Sequence, residues 1–535
     1  MDNFGRGKWT LKSRRLATEG SSLAPSGIRS NQDLDPIPPQ QMTWNGLDFA
    51  NYWVSDLVNI TSWSVGTAPL LVGLSTVDTV TILFLSGICN AVPTILNGYV
   101  GSDYHIPFPI AIRSSFGYYF GYFPVFSRAI LSAVWLGVNC YYGLFAMTEA
   151  IAAIWPSYRN IPNHLPTSAG ITTQQMISFF LFSCLHIPFM MIPVGRLKKL
   201  FLWKTILIVP VSIAMTVWIC VAAADVQGIF NQPARVTGAA HRWLFVATFS
   251  STTNSWLTSA INMSDFSRFS KRTRGQWAQL PTIPILKTIY SVLGLAVVGA
   301  GRVLYDEDLS SPVAMLPYWH TTGGGRFLAF CCACLWLLAQ ISCDLSANSV
   351  PFGHDAMAIL PRWLNVRRGS ILCLCLGTWA MVPWLIVNSA SKFLTFMSAY
   401  GVFLCPICSI MIVDYFLVRK RKLNLLDLYH PHGCYRYFAG VNWRALVTEI
   451  AFIAINLPGM INTITPSIPI PVALLRIYQM NWFITTVGSF FVYWGLCLVF
   501  PPTESLSTAI LTSGEIAIDV VTGLQEVEMG GDSKA

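Results

Sequence analysis

Charge is what this sequence lacks. Only 11% of its 535 residues are Asp, Glu, Lys or Arg, against about a quarter in an ordinary soluble chain. That excludes a string of soluble domains. Also missing is any G-x-x-x-x-G-K-[ST] loop to cradle a nucleotide phosphate, so ATP-driven pumping has no support. There is no H-E-x-x-H helix and no Ser, His and Asp set at a meaningful spacing, so nothing points to covalent chemistry or an enzyme. The 14 cysteines include two C-x-x-C matches, Cys331–Cys334 and Cys405–Cys408. Each lies inside an apolar run with no second pair or histidines to complete a metal site, and reads as packing. No metal or cofactor is expected. His105 and His354 lie near the ends of apolar runs and read as structural hydrogen-bonding residues.

What is present is apolar. Hydrophobic residues make up 53% of the chain, with 19 Trp, 19 Tyr and 32 Phe, and the mean hydropathy is +0.53. These numbers describe an integral membrane protein whose main partner is the lipid bilayer. Residues 1–45 are polar and carry no apolar core, which reads as a solvated tail rather than a signal peptide. Residues 501–535 turn acidic and read as a second tail. Both could bind cytoplasmic regulators, with Lys8 and Lys534 as candidate modification sites. The net charge of +9 belongs to cytoplasmic loops, not to nucleic-acid binding.

A spanning helix needs roughly 20 apolar residues. Twelve stretches qualify, at 47–73, 77–100, 119–152, 172–194, 201–224, 244–263, 283–304, 324–350, 370–388, 392–418, 443–463 and 479–500. With the N-terminus inside, one side collects "GRLKK" (195–199), "RFSKRTR" (268–274), "PRWLNVRR" (361–368) and "RKRK" (419–422). The other side holds the acidic "YDEDL" (305–309) and scattered single cations. The positive-inside bias puts both termini in the cytoplasm.

The first span is heavily polar. "FANYWVSDLVNITSW" (49–63) holds Asn51, Ser55, Asp56, Asn59, Thr61 and Ser62. Its "NYWVSD" (51–56) reappears in the sixth span as "NSWLTS" (254–259). Equivalent helices five spans apart run in opposite directions, the signature of an inverted repeat whose paired helices break at the midplane. Ser55 to Asn59 is the expected break in the first. The sequons at Asn59 and Asn262 lie at membrane depth and read as unglycosylated.

Other spans carry polar residues too, where they are costly and mark function or pairing. In the third span Trp135 and Asn139 are one helical turn apart. An indole face and an amide together suit a planar, hydrogen-bonding heterocycle. The alternative is a packed Trp with Asn bonding a neighbouring helix. In the eighth span Ala339, Ser342 and Cys343 share a face, and Asp344 and Asn348 form another i, i+4 pair. A hydroxyl facing the carbonyls of a broken helix suits an alkali cation. Asp56 and Asp344 add titratable groups, and Glu149 is a further candidate near the outer interface.

The stretches "LNGYVGSDYHIPFPIAIRSSFG" (96–117), "NMSDFSRFSK" (262–271), "LPRWLNVRRGS" (360–370), "VDYFLVRKRK" (413–422) and "GVNWRA" (440–445) resemble the nucleobase–cation symporter-1 family, in its fungal Fur-type branch. The resemblance covers about 35–500. It implies an all-α fold of the leucine-transporter type. The two inverted repeats of five spans would occupy 46–224 and 244–418, and two further helices 443–500. It implies import of uracil, allantoin or a related purine or pyrimidine by alternating access at the plasma membrane. Thiamine, nucleoside or nicotinamide riboside transport is the alternative within the family. A channel or non-transporting receptor on the same fold is the alternative of another class.

Carried over residue by residue, the resemblance makes Trp135, Asn139, Trp256, Asn348 and Asn59 substrate contacts. Asn139 stands where many members have Gln, retracting the amide by about 1.5 Å. A sodium site would fall on Ser55, Val58, Ala339, Ser342 and Cys343. Cys343 replaces a hard oxygen ligand with soft sulfur, which suits sodium poorly. The resemblance to this branch also implies a proton rather than sodium as the coupling ion, which makes Asp56 and Asp344 candidate carriers.

Overall fold

The protein was analysed as a computed structural model, which describes residues 21–24, 30–387 and 389–506. Lys8, Lys534 and most of both expected tails lie outside those residues. The described chain is almost wholly helical, with only two isolated β-bridges. Eight helices among the described residues are long and apolar enough to cross a membrane: Thr76–Tyr104, Tyr122–Ile154, Val194–Ala223, Thr273–Tyr305, Gly323–Ile359, Ala390–Val418, Trp443–Ile464 and Asn481–Val499. The other four expected spans fall on shorter or interrupted helices. The first is split into two helices of 12 residues. The fourth is an 18-residue helix that opens on polar Thr173, Gln174 and Gln175. The sixth has 17 residues before its break, and the ninth has 10 before a π turn.

The first break is narrower than the sequence suggested. Helix runs through Ser55 and Asp56 to Leu57, and only Val58 and Asn59 leave it before Ile60–Leu71 resumes. In the sixth span Gly238–Asn254 gives way at Ser255 and Trp256 to the short helix Leu257–Ile261. A second interruption follows at Asn262 and Met263. In the register that aligns Asn51 with Asn254, Asn59 meets Asn262. The repeated hexapeptide thus precedes a break in both copies.

The eighth span changes its winding. The α-helix Gly323–Cys343 passes into a π turn over Asp344–Ser349 and returns to α-helix over Val350–Ile359. Such turns gather at functional sites. The third-span helix packs against the fourth, eighth and ninth. It meets the ninth backbone to backbone at Gly137, where a Cβ would lie 2.1 Å from Gly377 O, so only glycine lets these backbones meet.

The N-terminal stretch is not a solvated tail over its whole expected length. From Asn31 onward it is strapped to the face that carries the basic loops. Asn31 Nδ2 donates to Leu364 O at 3.3 Å. Trp44 N donates to Phe269 O at 2.8 Å, and Lys271 N to Trp44 O at 2.9 Å. Tyr429 Oη donates to Leu34 O at 2.8 Å. Buried Leu34 and Trp44 explain why: apolar side chains outweigh a polar composition. The same face holds buried ion pairs, Arg128 with Asp355 and Arg419 with Asp414 at 2.6 Å. On the opposite face Glu149 pairs with Arg159 at 2.5 Å. His320 lies 3.4 Å from Glu149, and burial with nearby Arg159 and Arg326 pushes its pKa down.

Candidate functional site

A broken helix leaves carbonyls without partners at one end and N–H groups at the other. Two side chains from other spans complete the first break. Lys204, buried in the fifth span, donates through Nζ to Ser55 O at 2.6 Å and Val54 O at 3.3 Å. A cation at a helix C-terminus is also favoured by the helix dipole. From the eighth span, Gln340 Oε1 accepts from Ile60 N at 3.1 Å, and its Nε2 donates to Thr61 Oγ1 at 2.7 Å. Asn59 closes the gap itself. It accepts from Ser62 N at 2.8 Å and donates to Asp56 O at 2.6 Å and Ser62 Oγ at 2.9 Å.

Between the two breaks lies a buried cavity of about 40 Å³. Asp56, Thr61 and Ser62 reach it from the first span, Trp135 and Asn139 from the third, Trp256 from the sixth, and Cys343 and Asn348 from the eighth. The Trp135 indole N–H is buried with no partner among the described residues. Its ring meets Phe393 edge-on, with centroids 5.7 Å apart. Trp256 is covered by Lys287, whose Nζ sits 4.0 Å from the ring centroid. That ammonium is held by Ser86 Oγ and Asn90 Oδ1, both at 3.0 Å. Asp56 Oδ2 is buried and accepts no hydrogen bond among the described residues.

Behind the cavity wall stands Asp344. Its Oδ1 accepts from Asn139 Nδ2 at 2.8 Å and from Asn348 Nδ2 at 2.9 Å. Its Oδ2 lies 2.8 Å from His186 Nε2 of the fourth span. The other His186 nitrogen, Nδ1, lies 3.0 Å from Phe182 O. Asp344 and Asn348, four residues apart, make this contact within the π turn, and Asn348 also lines the cavity.

Set against the expected residues, Trp135, Asn139, Trp256 and Asn348 meet at one cavity, with Asp56 and Cys343 among them. Asn59 is the correction among the substrate contacts. It does not line the cavity, because its amide is spent bridging the break. Asp344 does not line the cavity either. Of the five expected sodium ligands, Ser55 offers a carbonyl already occupied by an ammonium. Val58 forms the break, and Ala339 is buried. Ser342 Oγ has no partner, and Cys343 Sγ points at Asp56 O from 3.7 Å. A sodium ion on Ser55 O would have to share that oxygen with the Lys204 ammonium, against the repulsion of two like charges. Sequence reasoning missed Lys204, His186 and Lys287. The available signal was their position: an ionisable side chain inside a span is a functional candidate by default.

Larger cavities flank the site. One of about 570 Å³ opens above it, lined in part by Tyr142, Glu149 and Phe393. Another of about 620 Å³ lies on the basic face, lined in part by Arg268, Leu345 and Arg367. Phe393 both lines the upper cavity and packs on Trp135, so it stands between that cavity and the centre.

Residues 36–485 match a family described as permease for cytosine/purines, uracil, thiamine, allantoin. The chain is 32% identical over 486 residues to an uncharacterized permease of Schizosaccharomyces pombe, covering 90% of this chain and 86% of that one. It is 31% identical over 489 residues to the uracil permease of Saccharomyces cerevisiae, covering 88% and 76%. Among solved structures it is similar to Mhp1, a nucleobase-cation-symport-1 family transporter in a closed conformation with bromovinylhydantoin bound. The TM-score is 0.70 at 18% identity, covering 88% of this chain and 97% of that one. This likeness shows the fold.

Proposed function

Since the chain belongs to the family of permeases for cytosine/purines, uracil, thiamine and allantoin, we propose that it imports a planar nucleobase-like heterocycle across the plasma membrane by proton symport. Both termini and the basic face are cytoplasmic in this reading. The observation that carries it is the convergence of two indoles and two amides on one buried cavity between two broken helices. Trp135 stacks on the ring, and Asn139 and Asn348 read its polar edge. The flanking cavities on opposite faces suit a site opened alternately to each side.

Proton coupling is supported by what holds the first break. Where a sodium symporter needs an ion on the carbonyls, this chain has the Lys204 ammonium. Lys204 interacts electrostatically with Asp56, which lines the cavity. A proton passing between this pair would change how firmly the fifth span holds the first. That ties site occupancy to helix movement.

A second reading has an observation of its own. The unpartnered Asp56 Oδ2 at the cavity favours a cationic heterocycle, such as thiamine or nicotinamide riboside. Radiolabelled uptake in cells lacking their own permeases separates these, using uracil, allantoin, uridine, thiamine and nicotinamide riboside. Saturable accumulation abolished by a protonophore and indifferent to sodium is expected. Non-saturable flux would indicate a channel. Sodium-driven uptake would overturn the coupling.

A further inference from the structure

The hydrogen-bond chemistry of Asp344 goes further than the presence of two amides. An asparagine amide is ambiguous, since it can offer N–H or C=O to a ligand. Here the ambiguity is removed by counting protons. His186 Nδ1 faces the Phe182 carbonyl at 3.0 Å, so Nδ1 carries a hydrogen. The contact between His186 Nε2 and Asp344 Oδ2 at 2.8 Å holds a single proton. Two lone pairs would repel there, and two protons would clash. That proton may be placed on nitrogen or on oxygen, but in both cases Asp344 Oδ1 remains a bare acceptor.

Asp344 Oδ1 can therefore receive only N–H groups, and both asparagines supply them, Asn139 at 2.8 Å and Asn348 at 2.9 Å. The second N–H of Asn139 is directed at Cys343 Sγ, 3.7 Å away. Each amide thus turns its nitrogen to Asp344 and leaves its oxygen for the cavity, where no group among the described residues donates to either Oδ1. The Cys140 thiol is close enough to form a three-ligand cluster with His186 and Asp344, within 4.8 Å. Both ring nitrogens of His186 are already committed, so the cluster works as a hydrogen-bond anchor.

Resting on the heterocycle-transport reading, we infer that the Asp344–His186 pair fixes Asn139 and Asn348 as a double acceptor, so that the site selects heterocycles presenting two N–H donors. Cyclic imides and ureides fit this rule. Their N-alkylated forms leave a buried amide oxygen without a donor, which is costly. Asp344 and His186 are positioning residues, acting on the ligand through the amides.

The test uses the purified full chain, with binding read by quenching of tryptophan fluorescence. The probes are uracil, hydantoin and allantoin, each with its ring N-methylated derivatives. Methylating one donor nitrogen should weaken binding about tenfold or more. In Asp344→Asn the new amide can donate to His186 and keep its oxygen for the two asparagines, so the ratio of parent to methylated affinity should stay within about threefold of the unaltered protein. In Asp344→Leu the two amides are released, and the ratio should fall towards one. The methylation series alone decides if Asp344→Leu does not fold. Equal binding of parent and methylated ligands would overturn the inference while sparing the transport reading. An unchanged ratio in a folded Asp344→Leu protein would do the same. Failure of every parent heterocycle to bind would remove both.

Discussion

Replacing Lys204 with methionine keeps most of the side-chain volume and removes the charge. The side chain is 1% exposed, so water offers the orphaned Ser55 carbonyl little compensation. The 2.6 Å contact to Ser55 O is charge-assisted and worth about 1.5–3 kcal/mol. The helix-dipole contribution adds up to about 2 kcal/mol. A loss of about 1.5–5 kcal/mol is therefore expected at the first break, overlapping the range for breaking a buried ion pair. Function should change more sharply than stability. With one proton per substrate, a pH difference of one unit sustains about tenfold accumulation. Proteoliposomes of the unaltered protein should approach that limit after an acid pulse outside. Lys204→Met should equilibrate its substrate without concentrating it. A monodisperse Lys204→Met protein that still concentrates substrate on the acid pulse would refute Lys204 as part of the coupling.

Trp135→Ala should weaken substrate binding by about 1–3 kcal/mol, as for loss of a stacked ring, while Trp135→Phe recovers most of it; competition binding checks both. Gly137→Ala places a Cβ 2.1 Å from Gly377 O and should cost about 1–3 kcal/mol or more through overpacking, seen as a lower melting temperature. Asp355→Asn removes the anion buried beside Arg128 and should loosen the basic face by about 3–5 kcal/mol. The buried Cys373 thiol then reacts faster with a membrane-impermeant maleimide applied from that face, and an unchanged labelling rate would count against the pair as a closure.

Much of the fold was legible because lipid imposes a coarse rule: about 20 apolar residues per crossing. The rule fails where function intrudes. The first and sixth spans read as polar-laden runs, but where they break depends on which partner accepts the loose backbone. The family resemblance made Asn59 an expected substrate contact. Which way it faces was decided by Asp56 O and Ser62 N, its neighbours across a gap that only the folded backbone reveals. Lys204 illustrates the opposite case. It sits just beyond "GRLKK" and merges with that basic cluster in the sequence. In the fold it is one of the charges nearest the cavity wall, bound to the first span. Asp344 was legible as a polar group facing inward, but its companion His186 comes from 158 positions away, beyond the reach of any local pattern.

The π turn at Asp344–Ser349 has an evolutionary meaning. Such a turn is what one inserted residue leaves in an α-helix. Deleting a single codon here would restore regular winding and rotate Val350–Ile359 by about 100°. Asp355 would swing away from Arg128, while Asn348 would stay within one turn of Asp344. One added residue therefore sets the phase between the recognition amides and the ion pair of the basic face. Length therefore constrains this helix as strictly as residue identity does: a one-residue indel would put recognition and the ion pair out of phase even with every side chain retained.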